Sequence, residues 1–326
     1  MAEASTSLPD VPHQEPPPTT NEILEYADLA IIDLKKYKTP EGRAELVREV
    51  HDAMRTVGFF YVINHGYTKE QTARMFDIAD IPFSAVTSHE KEKYVGQMKT
   101  TGSYQGYKPR GYWHIEGGVR DQVETYNSKR DFSNISHHAN RTFQVHRDVT
   151  RKEHPEALRP FLPDIAAFAR HNHFNVLNPL LNLVSRSLEL PEDTLGKLHQ
   201  FEAEGETPYD EIVVNTGEVM DFLSGLYYKG TVHRVVQPPA DQRHLTRSSI
   251  VYFGFANDDV KLVPLKESPV LQRVGITRRC EDDVAPTMEA WRKGRIAAYG
   301  QTTLIPGKEK GVQEEVLNGV VVKHYV

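Results

Sequence analysis

The sequence predicts a mostly β fold braced by helices. Two runs rich in β-branched and aromatic residues, Tyr227–Val236 and Ser248–Phe255, flank a polar turn that carries Pro238 and Pro239. Such runs read as strands. Apolar residues recur at helical spacing in two other stretches, from about Pro40 to Val57 and from about Pro160 to Leu190. The chain has 326 residues, 39% hydrophobic and 26% charged, which suits one large globular domain or two small ones.

Taken in order, residues 1–20 are rich in Pro, Ser and Glu, with Pro16-Pro17-Pro18 near the centre. That composition predicts a disordered tail. Ala30–Leu34 reads as a short strand. Leu46, Val50, Ala53 or Met54, and Val57 lie on one face of a helix starting near Pro40 and ended by Gly58. Phe59–Ile63 reads as a buried strand, closed by Asn64-His65-Gly66. Thr68 and Gln71 form a capping-box pattern that starts a second helix. Gly96–Gly118 is dense in glycine and aromatic residues. It reads as a surface loop or, more pointedly, as part of a pocket wall.

His137, His138, His146 and His154 lie in a polar stretch, at spacings that fit no metal motif, and read as a solvated loop. From Pro160 to Leu190, Ile165, Phe168, Leu180 or Leu181, Val184 and Leu188 predict a long helix that Pro179 should kink. His171 and His173 on it are two apart and do not share a face. Val320–Val322 reads as a final strand.

The net charge of −6 argues against a nucleic-acid or anionic-membrane surface as the main partner. Cys280 is the single cysteine, so no intramolecular disulfide forms. With no signal-peptide pattern, this points to a reducing, cytoplasmic compartment. No apolar run is long enough to span a bilayer. Nothing in the pattern sets the oligomeric state.

The second predicted strand places Arg247, Ser249, Val251 and Phe253 on one face and Ser248, Ile250 and Tyr252 on the other. A guanidinium and a hydroxyl two residues apart on one face make a clamp for a carboxylate. In the first strand, His233 shares a face with Thr231 and Val235. A neutral imidazole there suits a divalent transition metal.

His233 followed by Arg247-Ser248-Ser249 resembles the His…Arg-x-Ser signature of the non-haem Fe(II)- and 2-oxoglutarate-dependent dioxygenases. Gly58–Gly66 (GFFYVINHG), Asn215–Glu218, Leu223–Gly225 and His233–Val235 resemble the branch related to isopenicillin N synthase. The resemblance implies a double-stranded β-helix, or jelly roll. It divides the chain into an N-terminal dioxygenase region, 28–135, and a jelly-roll domain with a long bracing helix, 155–326. It implies Fe(II) on His233, 2-oxoglutarate held by Arg247 and Ser249, and a structural role for His65. The substrate would be a small organic molecule, altered by hydroxylation, desaturation or ring closure as 2-oxoglutarate becomes succinate.

One part of the signature is missing. The family carries a His-x-Asp motif, supplying two of three iron ligands, between segments that resemble Phe201–Thr207 and Pro208–Ile212. Here those segments are contiguous, so the jelly roll is expected to be incomplete near 206–208. His146-Arg147-Asp148, His114-Ile115-Glu116 and His13-Gln14-Glu15 fit His-x-Asp or His-x-Glu, but all precede the bracing helix. Asp210, Glu211, Glu218 and Asp221 offer carboxylates with no suitable His nearby. Two readings follow: an oxidoreductase of this family, or an inactive isoform or pseudoenzyme that acts at most as a binding protein.

Overall fold

A computed structural model describes residues 8–101, 106–113, 120–127, 153–201, 213–233, 236–298, 302 and 304–325. Its first unit is a strand–helix–strand. Strand β1 (Ala30–Asp33) and strand β2 (Phe59–Ile63) pair in parallel, Ile31 opposite Tyr61. A parallel pair needs a crossover, and helix α1 (Pro40–Thr56) supplies it. Thr39 caps α1 through Gly42 N at 3.0 Å, with Pro40 in the first turn. Leu46, Val50, Ala53 and Met54 are buried, as their spacing requires. Gly58 follows at φ 72°, and a Cβ there would lie 2.0 Å from Thr231 Oγ1. Only glycine meets both conditions.

Helix α2 (Lys69–Ser84) starts with the full capping box: Gln71 N donates to Thr68 Oγ1 and Thr68 N to Gln71 Oε1. Short helices α3 (Ser88–Lys93) and α4 (Met98–Thr101) lead to an antiparallel pair, β3 (Gly106–Lys108) and β4 (Thr125–Asn127). The bracing helix comes in pieces. Helix α5 (Leu162–His171) and helix α6 (Asn178–Ser187) are joined by a π-helical turn, Asn172–Leu177. Pro179 has no N–H to donate back into the preceding turn, and the wide turn absorbs that loss.

After α7 (Thr194–Lys197), strand β5 (Val213–Asn215) pairs antiparallel with β2, giving the sheet order β1-β2-β5. Helices α8 (Val219–Leu223), α9 (Pro269–Val274) and α10 (Met288–Ala298) follow. The antiparallel strands β6 (Ile305–Pro306), β7 (Val312–Leu317) and β8 (Val320–Tyr325) end the chain. Asn318 and Gly319 both have positive φ, as the two-residue β7–β8 turn demands.

Three apolar clusters hold these pieces. One lies between α1, the sheet and α6. A second joins α2 and α5 and takes in Ile250. The third packs Phe222, Met288 and Trp291 against Val320 and Val322. No described helix is long and apolar enough to cross a membrane.

Three expectations need correction. Neither Tyr227–Val236 nor Ser248–Phe255 contains a strand among its described residues; Arg234 and Val235 lie outside them. Just before the first run, Leu226 has φ 63°, and the bond from Tyr228 N to Ser224 Oγ at 2.9 Å commits the start of the run to a buried turn. The second run has no neighbouring strand among the described residues, and a strand exists only through pairing. With those strands absent, helix outweighs strand in the described residues. The mostly β expectation becomes sheets plus helices. The third correction is the tail. From Leu8 onward it is laid along the body: Arg74 donates to Pro9 O at 3.0 Å and Gln14 N to Asp77 Oδ1 at 2.8 Å. Composition gave no sign of these distant partners.

The β1-β2-β5 sheet has two unlike faces. Ile32, Phe60 and Val62 are buried in the first cluster. On the other face Ile31, Tyr61 and Val213 stand in cross-strand register, with Ile63 nearby along β2, all 39–58% exposed. A row of large apolar side chains facing solvent marks a surface that something else normally covers.

Candidate functional site

His233 is held at one end of this sheet by a short relay of backbone bonds. Thr216 N donates to Gly58 O at 2.9 Å, and Thr231 N donates to Thr216 O at 3.0 Å. Thr231 Oγ1 donates to Val57 O at 3.1 Å. Asp221 Oδ1 accepts from Gly230 N at 2.6 Å. The segment before His233 is thus tied to both ends of the α1–β2 turn and to α8. The ring of His233 meets Phe59 edge to face, with centroids 5.2 Å apart. Its Nδ1 lies 2.8 Å from Thr231 O. A carbonyl only accepts, so Nδ1 carries the hydrogen, which in a neutral ring leaves Nε2 as the acceptor nitrogen. That is the tautomer a metal-binding imidazole uses.

Arg247 and Ser249, the pair expected to hold a carboxylate, lie on a segment anchored at two points. Ile250 is 4% exposed in the α2–α5 cluster, and Tyr252 Oη meets His173 Nδ1 at 2.8 Å. Arg247, Ser249, Val251 and Phe253 are exposed, and so is Ser248.

Among the described residues, the donors needed to complete a metal site do not gather around His233. Among the described residues, no group of three or more His, Cys, Asp or Glu side chains is placed to hold a metal ion. Glu218 pairs with Arg295 at 3.1 Å and faces Arg279 at 4.0 Å. Asp221 is taken by Gly230 N and by Arg279 at 3.2 Å, and its burial raises its pKa above the usual carboxylate range. Within the third pattern, His13 binds Asp77 at 3.2 Å and Glu15 is exposed. His114, Glu116, His137, His138, His146, Asp148, Asp210 and Glu211 lie outside the described residues. A facial triad needs two imidazoles and one carboxylate. The described donor set offers one imidazole and does not fit Fe(II).

His154, the last of the clustered histidines, is bound to Tyr126 Oη at 2.7 Å, and burial lowers its pKa. His65 packs near His171, ring centroids 6.1 Å apart, and burial lowers the pKa of both. In the glycine- and aromatic-rich loop the structure adds a residue that sequence reading missed. Lys108 is fully buried, paired with Asp121 and set over the Trp113 ring at 4.5 Å. Nothing short of the fold signals it. A groove of about 440 Å³ runs beside α1 and β1, lined by Asp28, Glu49 and Asp52 with Ile31, Val57 and Phe59. Three carboxylates there repel a dianion such as 2-oxoglutarate.

Comparison with known proteins places this arrangement. Residues 29–149 match the family model described as non-haem dioxygenase in morphine synthesis, N-terminal. The fold is similar to a 2OG-Fe(II) oxygenase family protein from Caulobacter crescentus, at TM-score 0.64 and 16% identity, covering 81% of this chain and 96% of that one. The N-terminal part of the chain is thus similar to the non-haem dioxygenases, and its fold is similar to that of a 2OG-Fe(II) oxygenase. Another structural neighbour of this chain is a full-length Neurospora crassa protein in complex with alpha-KG, at TM-score 0.59, 14% identity, 83% of this chain and 96% of that one. Among curated proteins it is 38% identical over 72 residues to a bi-functional coumaroyl CoA and feruloyl CoA ortho-hydroxylase of Ruta graveolens, 22% of this chain and 18% of that one. It is 29% identical over 129 residues to clavatol oxidase of Penicillium crustosum, 39% of this chain and 33% of that one. The chain matches less than half the length of each of these curated relatives. Fe(II) and 2-oxoglutarate are the cofactor and co-substrate of the family as a whole.

Proposed function

We propose that this protein is a shortened form of a dioxygenase, lacking the block that carries the other iron ligands, and that the complete enzyme oxidises a small organic metabolite with 2-oxoglutarate as co-substrate. The observation that carries the reading is the exposed pair Arg247 and Ser249, beside the anchors Ile250 and Tyr252. Arg247 grips the far carboxylate of 2-oxoglutarate in its planar fork and Ser249 adds a donor. His233 is the one iron ligand the chain retains. The full enzyme is a jelly roll with an N-terminal region over 28–135 and an oxygenase domain over 155–326. The absent block lies between Thr207 and Pro208, and its strands cover the open face of Ile31, Tyr61, Ile63 and Val213.

The named activities of the relatives, hydroxylation and oxidation of small organic molecules, support the substrate class. The acidic balance and single cysteine support a cytoplasmic protein that does not bind nucleic acid.

The test is insertion of a family-type segment with His-x-Asp between Thr207 and Pro208. Iron- and oxygen-dependent release of succinate from 2-oxoglutarate is expected, with no added substrate. The same insert with its His and Asp changed to Ala is expected to raise the melting temperature without turnover, because it covers apolar area worth about 25 cal/mol per Å². An insert that folds and binds 2-oxoglutarate but releases no succinate favours the binding-protein reading instead.

A further inference from the structure

The N-terminal segment meets the clamp segment from both sides. Its first part docks on α2. Arg74 Nη2 donates to Pro9 O at 3.0 Å, Gln14 N donates to Asp77 Oδ1 at 2.8 Å, and His13 Nδ1 lies 3.2 Å from the same carboxylate. Val11 packs against the cluster that holds Met75, Ile78 and Ile250. Its second part docks on the 3₁₀ turn Ala240–Gln242, in the connection between His233 and Arg247. Gln242 Nε2 donates to Pro18 O at 2.7 Å, Thr20 Oγ1 to Asp241 Oδ1 at 2.8 Å, Asn21 N to Asp241 Oδ2 at 2.8 Å, and Ala240 N to Glu22 Oε1 at 2.9 Å. The span between the docks is Glu15-Pro16-Pro17. Proline-rich chain holds an extended form at about 3.1 Å per residue and loses little entropy when fixed.

We propose that residues 9–22 are an intramolecular strap that positions the carboxylate clamp, with Asp241 as its main anchor on the connection. Arg247 and Ser249 lie between two points the strap touches: the Asp241 turn upstream and the Ile250 cluster downstream. The clamp segment has no sheet partner among the described residues. The strap supplies the restraint that a neighbouring strand would otherwise give. Asp241 touches no substrate in this account; it acts through the turn. That 2-oxoglutarate is the ligand rests on the function proposed above.

The experiment compares the full chain, a chain lacking residues 1–22, and Asp241→Ala. The first readout is amide hydrogen exchange over 240–246, where Ala240 N is held by Glu22 and Leu245 N by Gln242 O at 3.0 Å. The second is 2-oxoglutarate affinity by calorimetry. Both variants are expected to raise exchange over 240–246 at least tenfold, leave exchange in α1 and β2 unchanged, and weaken 2-oxoglutarate several-fold. Asp241→Asn, which keeps an acceptor, is expected to lie between. Unchanged exchange over 240–246 overturns the strap. So does raised exchange with unaltered affinity in a protein whose affinity does depend on Arg247. If the full chain binds no 2-oxoglutarate at all, the clamp reading fails, and the exchange result decides the strap alone.

Discussion

Replacing Arg247 by alanine separates the clamp from every other part of the structure. The guanidinium is exposed, and it makes no hydrogen bond or ion pair with the described residues. Removing it therefore leaves no buried partner unsatisfied among the described residues, and the melting temperature should not move. On the function proposed above, its contribution is to the ligand. A hydrogen bond to a charged group contributes about 1.5–3 kcal/mol net. The open setting screens the charge, so the lower end applies. At about 1.4 kcal/mol per factor of ten, Arg247→Ala should weaken 2-oxoglutarate roughly tenfold. Ser249→Ala removes a single hydroxyl donor, worth about 1 kcal/mol, and should cost roughly fivefold. If the alternation set by Ile250 and Tyr252 extends back one residue further, Ser248→Ala should change affinity less than about twofold, although Ser248 is exposed. Anaerobic calorimetry with the three variants reads all of this. Equal losses at Ser248 and Ser249 would refute the alternation. Loss confined to Arg243→Ala would move the clamp into the turn, where Arg243 Nε already faces Pro238 O at 3.4 Å.

Three further outcomes follow from the same geometry. Anaerobic titration of the 326-residue chain with Fe(II) should show no micromolar one-to-one binding, and His233→Ala should leave the isotherm unchanged; tight binding abolished by that variant would mean that a second set of donors exists. His65 and His171 have pKa values lowered from 6.5, chiefly by burial and, at His171, also by the neighbouring His65. The unfolded chain therefore takes up protons first, so their contribution to stability is present above pH 6.5 and is lost as the pH falls through their lowered values. Thermal melts should drop between pH 7 and pH 5, and less steeply in His171→Phe. Thr68→Ala should cost about 1 kcal/mol in urea unfolding by removing the cap of α2, and Thr68→Ser should recover most of it.

The parts legible in the sequence are those governed by local rules. Periodicity places α1, and Thr68 with Gln71 places the start of α2, because a cap and an apolar stripe need only neighbours within a turn or two. The break at Pro179 is legible; its form as a π-helical turn is not. The runs Tyr227–Val236 and Ser248–Phe255 have strand composition, yet a strand needs a paired neighbour, and none stands beside them among the described residues. The order of the tail escapes composition because its partners, Asp77 and Asp241, lie far along the sequence. At the site, residue types point to His233, Arg247 and Ser249. The Thr216–Thr231 relay, the Phe59 ring and the Nδ1–H bond that sets the imidazole tautomer require the fold.

The central claim is that a block bearing His-x-Asp is missing between Thr207 and Pro208, and that its loss leaves His233 alone and the β1-β2-β5 face open. Sequencing transcripts from the source across the codons for Glu206 to Pro208 tests it most directly. The account predicts a longer transcript with several strands' worth of additional codons, including His-x-Asp, in frame at this junction. Transcripts that all run straight from Thr207 to Pro208, together with succinate release from 2-oxoglutarate by the purified 326-residue chain, would contradict it.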